Sequence, residues 1–193
     1  MKKIVLIIVV ALATVIIPKT SPAQAFHNGD NLLGVGIGFG SSLGGYTYGS
    51  QSPAISLQYE HGNWDVGGPG VISLGGYLGY KSFSYDYSPY NGFNYSQKWS
   101  YTIIGFRSAY HYNGITNPNW DVYGGLMLSY DILSYSYTSN NHAYDNLYNG
   151  SYAGGIGLSL YLGARYFFSP KVCGFAELGY GIAYFNLGVA FKL

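Results

Sequence analysis

The side chains that could do chemistry in this chain are few, and most of them are charged. Charged residues make up 9% of the sequence, against about 25% in ordinary soluble domains. Three acids and three bases fall on the polar side of short alternating segments: Glu60, Arg107, Asp121, Arg165, Glu177 and Lys192. Such a balanced set predicts an ion-pair network that fills an interior, since buried charges must be paired. The alternative is a gate or a narrow path for ions. Lys81 and Asp131 hold similar positions farther along their segments, in the predicted upper lumen.

The sequence shows no residue pattern typical of a hydrolase site, a metal site or a nucleic-acid-binding site. A hydrolase site needs a hydroxyl, a base and a carboxylate within hydrogen-bond reach, and no histidine has a serine and an acid beside it on a lipid-facing side. The four histidines and single cysteine show no metal-ligand spacing. Six basic and eight acidic residues remain beyond residue 25, so no basic patch for nucleic acid is present. We expect no enzyme activity, no cofactor, no metal and no nucleic-acid partner.

The elements that must position these charges are β-strands with a period of two. Apolar and small or polar residues alternate through eight segments, which cover residues 31–39, 55–60, 72–81, 102–111, 121–132, 156–166, 175–180 and 184–193. No helical period occurs beyond the first 25 residues. A chain that ends in mid-strand leaves an unpaired edge unless the last strand closes on another. The pattern predicts an all-β fold, an eight-stranded antiparallel up-and-down transmembrane β-barrel.

The distribution of charge indicates which face of each strand meets lipid. No Asp, Glu, Lys or Arg lies on the apolar faces of the eight segments. A register slip of one residue would move the charges into hydrocarbon, at about 2–4 kcal/mol for each Arg or Lys near the midplane. Aromatic rings at the two ends of the apolar faces predict two girdles at the membrane interfaces. They are Tyr59, Tyr110, Tyr166 and Phe191 at one end and Tyr80, Tyr130, Tyr180 and Phe185 at the other.

The first 25 residues have the pattern of a cleaved secretory signal. Lys2 and Lys3 precede an apolar run from Ile4 to Ile17, and Ala23-Gln24-Ala25 forms a small-residue cleavage site. The apolar run is shorter than the roughly 20 residues that a membrane helix needs. We expect residues 1–25 to be removed and residues 26–193 to form one barrel domain. An even number of strands would leave both termini in the periplasm.

With these segments in place, the chain resembles the small outer-membrane β-barrel family, the OmpA/OmpX-like and opacity-protein-like barrels of the porin family. The resemblance rests on the signal, the eight alternating strands and the closing stretch Leu187-Gly-Val-Ala-Phe-Lys-Leu193. It implies integration in the outer membrane of a Gram-negative envelope, among phospholipid and lipopolysaccharide. It also implies that Phe191 and Leu193 form the signal read by the barrel-assembly machinery. The commonest final residue in that family is Phe, and Leu193 stands in its place here.

The segments between the strands suggest where a surface activity would lie. Three predicted external loops, near 41–52, 83–98 and 133–151, are rich in Tyr, Asn and Ser. Such composition is typical of binding loops, in which Tyr gives rigid contact area and Ser and Asn give adaptable hydrogen bonds. The candidate binding residues are Tyr85, Tyr87, Tyr90, Tyr135, Tyr137 and Tyr144. The plainer interpretation is that these loops only extend the barrel as uncharged ribbons. We therefore expect a largely plugged barrel with a structural or surface-adhesion role and an unidentified surface ligand; the alternative is a narrow porin.

Overall fold

The computed structural model describes residues 26–43, 49–88, 94–140 and 150–193, with side chains from residue 154 onward in the last of these ranges. The predicted signal, residues 1–25, lies outside the described residues. The strands are β1 (Asn31–Phe39), β2 (Ser50–Gln51), β3 (Ala54–Val66), β4 (Gly70–Tyr87), β5 (Tyr95–Tyr112), β6 (Trp120–Ser139), β7 (Gly150–Ser169), β8 (Val172–Tyr180) and β9 (Phe185–Lys192). Among the described residues, no helix is long and apolar enough to span a membrane.

Eight of these strands close into a barrel. Each strand pairs antiparallel with the next along the chain, from β3 to β9, and β1 pairs with both β3 and β9. The closing seam runs through eight residue pairs, from Leu32 opposite Lys192 to Phe39 opposite Phe185. This pairing removes the free edge at the end of the chain. The predicted eight-stranded antiparallel barrel is confirmed, and β2 is a two-residue addition beside the upper part of β4.

The two faces of the wall follow the alternation of the sequence. In β1, Val35 is 52% exposed on the outside, and inward Leu32 is 2% exposed. Along β7 the outward residues Ile156 and Leu162 are 83% and 71% exposed. Large apolar side chains cover the outside, and charged side chains are buried inside. This is the reverse of a soluble protein and the arrangement of a transmembrane barrel.

Inward glycines make room for large lumenal side chains. Phe175 lies over Gly188, and a Cβ added at Gly188 would collide with that ring and with the carbonyl of Val35. The ring of Tyr123 lies in the same way against Gly163. Because an eight-stranded barrel has an interior barely wide enough for side chains, a large residue on one strand requires a small one on its neighbour.

Several predicted strand ends are wrong, because cross-strand pairing continues beyond them. Residues 83–87 and 95–98, predicted as loop, belong to β4 and β5, and residues 133–139 belong to β6. The connection between the predicted segments 55–60 and 72–81 is also mostly strand, since β3 runs to Val66 and β4 starts at Gly70. β4 to β7 have 18–20 residues, whereas β1, β8 and β9 have 8 or 9. The rim opposite the end of β9 is therefore slanted. β4, β5 and β6 project farthest from this rim, with β2 beside β4 and the start of β7 beside β6 at the base, and we call the projecting part of β4, β5 and β6 the outer extension.

Candidate functional site

The centre of the lumen holds a cluster of charged side chains contributed by five strands. Arg165, on β7, donates from Nη2 to a carboxylate oxygen of Glu60 and from Nη1 to Asp121 Oδ2, the latter at 3.2 Å. His111, on β5, lies between the same two acids, with Nδ1 2.9 Å from Asp121 Oδ1 and Nε2 2.9 Å from Glu60 Oε1. All four side chains are at most 4% exposed. Two acids and two bases thus neutralise one another in a closed square.

A second ion pair lies next to this square. Arg107 Nη2 donates to Glu177 Oε1 at 2.6 Å, and Arg107 Nη1 donates to Gln58 Oε1 at 2.5 Å. Glu177 also accepts from the hydroxyl of Tyr123 at 2.9 Å. Arg107 lies 4.1 Å above the ring centre of Tyr161 and donates from Nε to its hydroxyl at 3.0 Å. The guanidinium therefore has an acid, an amide and a π-face as partners, which is what a buried arginine requires.

Ser73, His111 and Asp121 form a hydroxyl–imidazole–carboxylate arrangement. Ser73 Oγ is 3.0 Å from His111 Nε2, and His111 Nδ1 faces Asp121. However, Glu60 Oε1 is 2.6 Å from the same hydroxyl and 2.9 Å from the same ring nitrogen. Because both ring nitrogens face carboxylates, the doubly protonated imidazolium satisfies both contacts, and that form cannot act as a general base. None of these three side chains is exposed.

Apolar layers cover the charged cluster on both sides. The lower layer consists of Phe26, Leu32, Val71, Phe167, Cys173, Phe175 and Ala190. Phe26 is completely buried, and its ring centre is 4.2 Å from that of His111. The upper layer consists of Ala54, Tyr77, Phe83, Tyr101, Ile103, Met127 and Ile182. Charges placed between two apolar layers have little contact with water from either mouth of the barrel.

A turn at the start of the described chain holds Phe26 in the lower layer. Gly29, with φ of 86°, donates to the carbonyl of Gly62 at 2.9 Å, and Gly62 donates to that of Asp30 at 2.9 Å. His27 N donates to Asp30 Oδ2 at 2.7 Å. The positive φ favours glycine at this position, and the reversal directs Phe26 back into the barrel. No pattern in the sequence predicts this contact, since Phe26 precedes the first alternating segment.

The remaining predicted lumenal charges lie apart from the cluster. Lys192 forms its ion pair with Asp30 at 2.5 Å near the lower rim, apart from the five other residues predicted for the network. Lys81 is fully buried in the upper lumen, and its Nζ donates to the carbonyl of Gly40 at 2.9 Å. Asp131 accepts from Ser129 Oγ at 2.8 Å. The structure thus brings together Glu60, Arg107, Asp121, Arg165 and Glu177, and it adds His111.

The predicted girdle residues all lie on the outside of the barrel. Seven of them are 37–64% exposed: Tyr59, Tyr80, Tyr110, Tyr130, Tyr180, Phe185 and Phe191. Tyr166 is half-buried, because its ring lies 5.1 Å from that of Trp120 and 5.5 Å from that of Phe168. At the end of the chain, Phe191 and Leu193 both point outward, with Leu193 71% exposed. An assembly factor could therefore reach both of these side chains from the lipid side.

The tyrosines predicted to lie in binding loops are in strands where the structure describes them. Tyr85 and Tyr87 belong to β4, and Tyr135 and Tyr137 belong to β6. Tyr90 and Tyr144 lie outside the described residues. Ring contacts link the strands of the outer extension: Tyr87 with Tyr95 at 5.1 Å, Tyr95 with Tyr137 at 5.8 Å, and Trp99 with Tyr135 at 5.5 Å. The rings form one aromatic face of a regular sheet, which corrects the prediction of loops.

Sequence reasoning missed four partners of the charged cluster. Gln58, Ser73, Tyr123 and Tyr161 each bond to a charged side chain inside the barrel. Each occupies an inward position of its strand, so the alternation that placed the acids and bases could have placed them too. The amide of Gln58 and the hydroxyls of the other three residues could have identified them from the sequence, because a polar group buried in a small barrel needs a hydrogen-bond partner.

Comparisons with known proteins add a distant similarity to this description. No family model and no curated protein matches the chain. Two solved structures that resemble it are those of Ail, the attachment invasion locus protein of Yersinia pestis, one of them in complex with the heparin analogue sucrose octasulfate. Each is 13% identical and covers 86% of this chain and 98% of the other, with TM-scores of 0.44 for the complex and 0.43 for Ail alone. A likeness this distant assigns no function to this chain.

Proposed function

We propose that this protein is an integral outer-membrane barrel of the small-barrel type, with a non-conducting lumen and a structural or adhesive role at the cell surface. The observation that supports the proposal is the buried charged cluster with an apolar layer on either side, together with the projecting outer extension. The lumen then serves stability, and the extension is the part available for contact with other molecules.

The case for a non-conducting lumen rests on pairing and packing. Each acid of the cluster is bonded to a base, and the bases are held by several partners at once. An ion that crossed the barrel would have to displace these pairs and then pass Phe26 below and Ile103 and Met127 above. Removing one partner of a buried pair leaves an uncompensated charge, which is strongly unfavourable.

The case for a surface role rests on the asymmetry of the barrel. Leu32 on β1 pairs with Lys192 on β9, so the two ends of the barrel wall meet at one rim. The outer extension rises from the opposite rim. If that extension faces the outside of the cell, both termini are periplasmic. Short turns then lie in the periplasm, as in outer-membrane barrels generally.

The first experiment is solute entry into liposomes that carry residues 26–193 refolded from urea. Heat-dependent migration in a gel serves as the control that the barrel has folded. We expect the liposomes to stay impermeable to ions and small sugars. Entry of ions in a sample that shows the heat-dependent shift would refute the sealed lumen, and failure to fold in lipid would refute the membrane barrel.

A shortened variant tests the surface role. Replacing residues 86–96 by a two-residue Asn-Gly turn keeps Tyr85 opposite Gln97 and matches the twist of a hairpin. Cells that display the whole chain should adhere to one or more surfaces among those coated with heparin, neutral glycans or matrix protein, and cells with the shortened chain should lose that adhesion. Equal adhesion by both, at equal surface levels, would refute a role for the tip of the extension.

A narrow porin remains the second candidate function, and one observation favours it. A recess of about 50 Å³ lies beside Arg107 and Glu177, and it is also lined by Asn186. The Oδ1 atom of Asn186 is buried without a hydrogen-bond partner. The recess has room for one or two water molecules, and water beside Arg107 and Glu177 is what a narrow ion path would require, although the recess is too small for a sugar. The liposome experiment distinguishes this candidate from the sealed barrel.

A further inference from the structure

The outward face of the outer extension consists almost entirely of hydroxyl side chains. Above the girdle residue Tyr80, three rows of residues pair across β4, β5 and β6 and point outward. The rows are Ser82–Ser100–Ser134, Ser84–Lys98–Ser136 and Asp86–Ser96–Thr138. Seven of these nine residues are Ser or Thr. The rows on the opposite face are mainly aromatic: Phe83–Trp99–Tyr135, Tyr85–Gln97–Tyr137 and Tyr87–Tyr95–Ser139. Such a strict division between two faces of one sheet indicates two different environments.

The hydroxyl face is a direct continuation of the lipid-facing wall. In the ladders from β4 to β6 the pairing is regular, so residues that point outward at the girdle point outward above it. Leu78, Ile104 and Tyr130 pair across the three strands in a row that points outward, and Tyr80 lies two residues above Leu78 on β4. The hydroxyl of Tyr80 donates to Ser100 Oγ at 3.1 Å. The change from apolar to hydroxyl side chains therefore occurs at the aromatic girdle, where hydrocarbon ends.

The height of this face places it in the headgroup layer. A strand rises about 3.3 Å per residue, so Asp86 is on the order of 20 Å along β4 from Tyr80, less once the strand tilts. Ser134, Ser136 and Thr138 are exposed on this face. Any lipid beside the barrel must carry its headgroup past these hydroxyls.

The chemistry of the face matches sugars better than phosphate or apolar chains. Hydroxyls both donate and accept hydrogen bonds, as the hydroxyls of a sugar do. Lys98 and Asp86 are the only charged residues in the nine positions, and their charges cancel, so the face has no excess charge for a polyanion. At the tip of the sheet, a recess of about 410 Å³ is lined by residues of both faces, with Asp86 and Thr138 from the hydroxyl face and Tyr87 and Tyr95 from the opposite face. That volume is enough for one or two sugar rings.

We propose that the hydroxyl face binds the sugar headgroups of glycolipid in the membrane leaflet that surrounds the barrel. The continuity of this face with the lipid-facing wall selects glycolipid over a free glycan, because the same wall holds the lipid tails below and the sugars above. This inference rests on the proposed outer-membrane location and is independent of any adhesive role.

Thiol labelling tests the contact in the folded protein. Ser136→Cys places a probe on the hydroxyl face, and Tyr87→Cys is the control on the opposite face, in a row three residues farther from the girdle. The natural Cys173 is fully buried, so it does not react in the folded barrel. Each variant is refolded into phospholipid vesicles, with either no addition, lipopolysaccharide that carries its core sugars, or lipid A without core sugars. The rate of alkylation by a membrane-impermeant maleimide is then measured.

We expect core-sugar lipopolysaccharide to slow labelling of Ser136→Cys and to leave Tyr87→Cys unchanged. If sugars cover the face nine-tenths of the time, the rate falls about tenfold. Equal rates with and without core sugars would overturn the inference, and so would equal slowing in lipid A alone. Slowing by soluble core oligosaccharide in plain phospholipid would also overturn it, because it would show a site for free glycan. Heat-dependent migration of each sample separates these outcomes from failure of the membrane barrel itself.

Discussion

Replacing Arg107 by alanine gives the sharpest test of the lumenal cluster. Arg107 is the only base within 4.0 Å of Glu177 in the part of the chain that the structure describes. Arg107→Ala therefore leaves Glu177 with the hydroxyl of Tyr123 at 2.9 Å, the amide of Asn186 at 3.3 Å and that of Gln58 at 3.5 Å. All three are neutral, and Glu177 is 7% exposed.

The expected loss follows from the charge that is left behind. Removing one partner of a buried pair costs about 3–5 kcal/mol. With a urea m-value of about 2 kcal/mol/M, the unfolding midpoint of the lipid-refolded barrel falls by about 2 M. Glu60 keeps Arg165 and His111 in this variant, so Glu177 is the acid that loses its base.

A double variant separates the stranded charge from lost packing. Arg107→Met with Glu177→Gln removes both charges while keeping most of the volume, and replacing both partners of a buried pair is often close to neutral. We expect this variant to recover most of the midpoint. The measurement is intrinsic tyrosine and tryptophan fluorescence against urea. An unchanged midpoint for Arg107→Ala, or a double variant as unstable as the single one, would refute the reasoning.

Three further predictions follow from the packing of the wall and lumen. Phe26→Ala removes a fully buried ring from the lower layer, and the free energy of unfolding should fall by about 3–5 kcal/mol in the same urea assay. Gly188→Val should prevent the heat-resistant folded form, because a Cβ there meets the carbonyl of Val35 and the ring of Phe175, whereas Gly76→Val should fold, since a Cβ there meets nothing within 4 Å. Ile104→Arg should cost about 2–4 kcal/mol in lipid, and Ser136→Arg, above the girdle, should cost much less.

Each of these predictions has an outcome that contradicts it. A stable Phe26→Ala barrel would mean that the lower layer closes without the ring. Normal folding of Gly188→Val would mean that the seam between β1 and β9 has more room than the structure shows. Equal losses for Ile104→Arg and Ser136→Arg would place the hydrocarbon boundary above Tyr80.

The sequence by itself determined the barrel and its two faces. Alternation is a local property, because successive side chains of a strand point to opposite sides. The absence of charge from one face then decides which side meets lipid, since a charge in hydrocarbon is costly whatever its neighbours are. Seven of the eight girdle rings are exposed on the outside and Tyr166 is half-buried there, as this local rule requires.

Only the tertiary structure decided which charges meet. Glu60 and Arg165 are 105 residues apart, and Arg107 and Glu177 are 70 apart. Their pairing depends on the register of every ladder between them and on closure through β1 and β9. The same dependence separates Lys192, which meets Asp30 at the rim, from the cluster that its inward position suggested.

The outer extension shows the limit of local patterns most clearly. Both of its faces are rich in residues that also suit loops, Tyr on one side and Ser on the other, so composition alone indicated turns. Hydrogen bonding across β4, β5 and β6 turns these segments into a sheet, because each strand finds a neighbour in register. Cross-strand pairing stabilises a sheet that each segment alone would not form, and Tyr85, Tyr87, Tyr135 and Tyr137 therefore lie on strands.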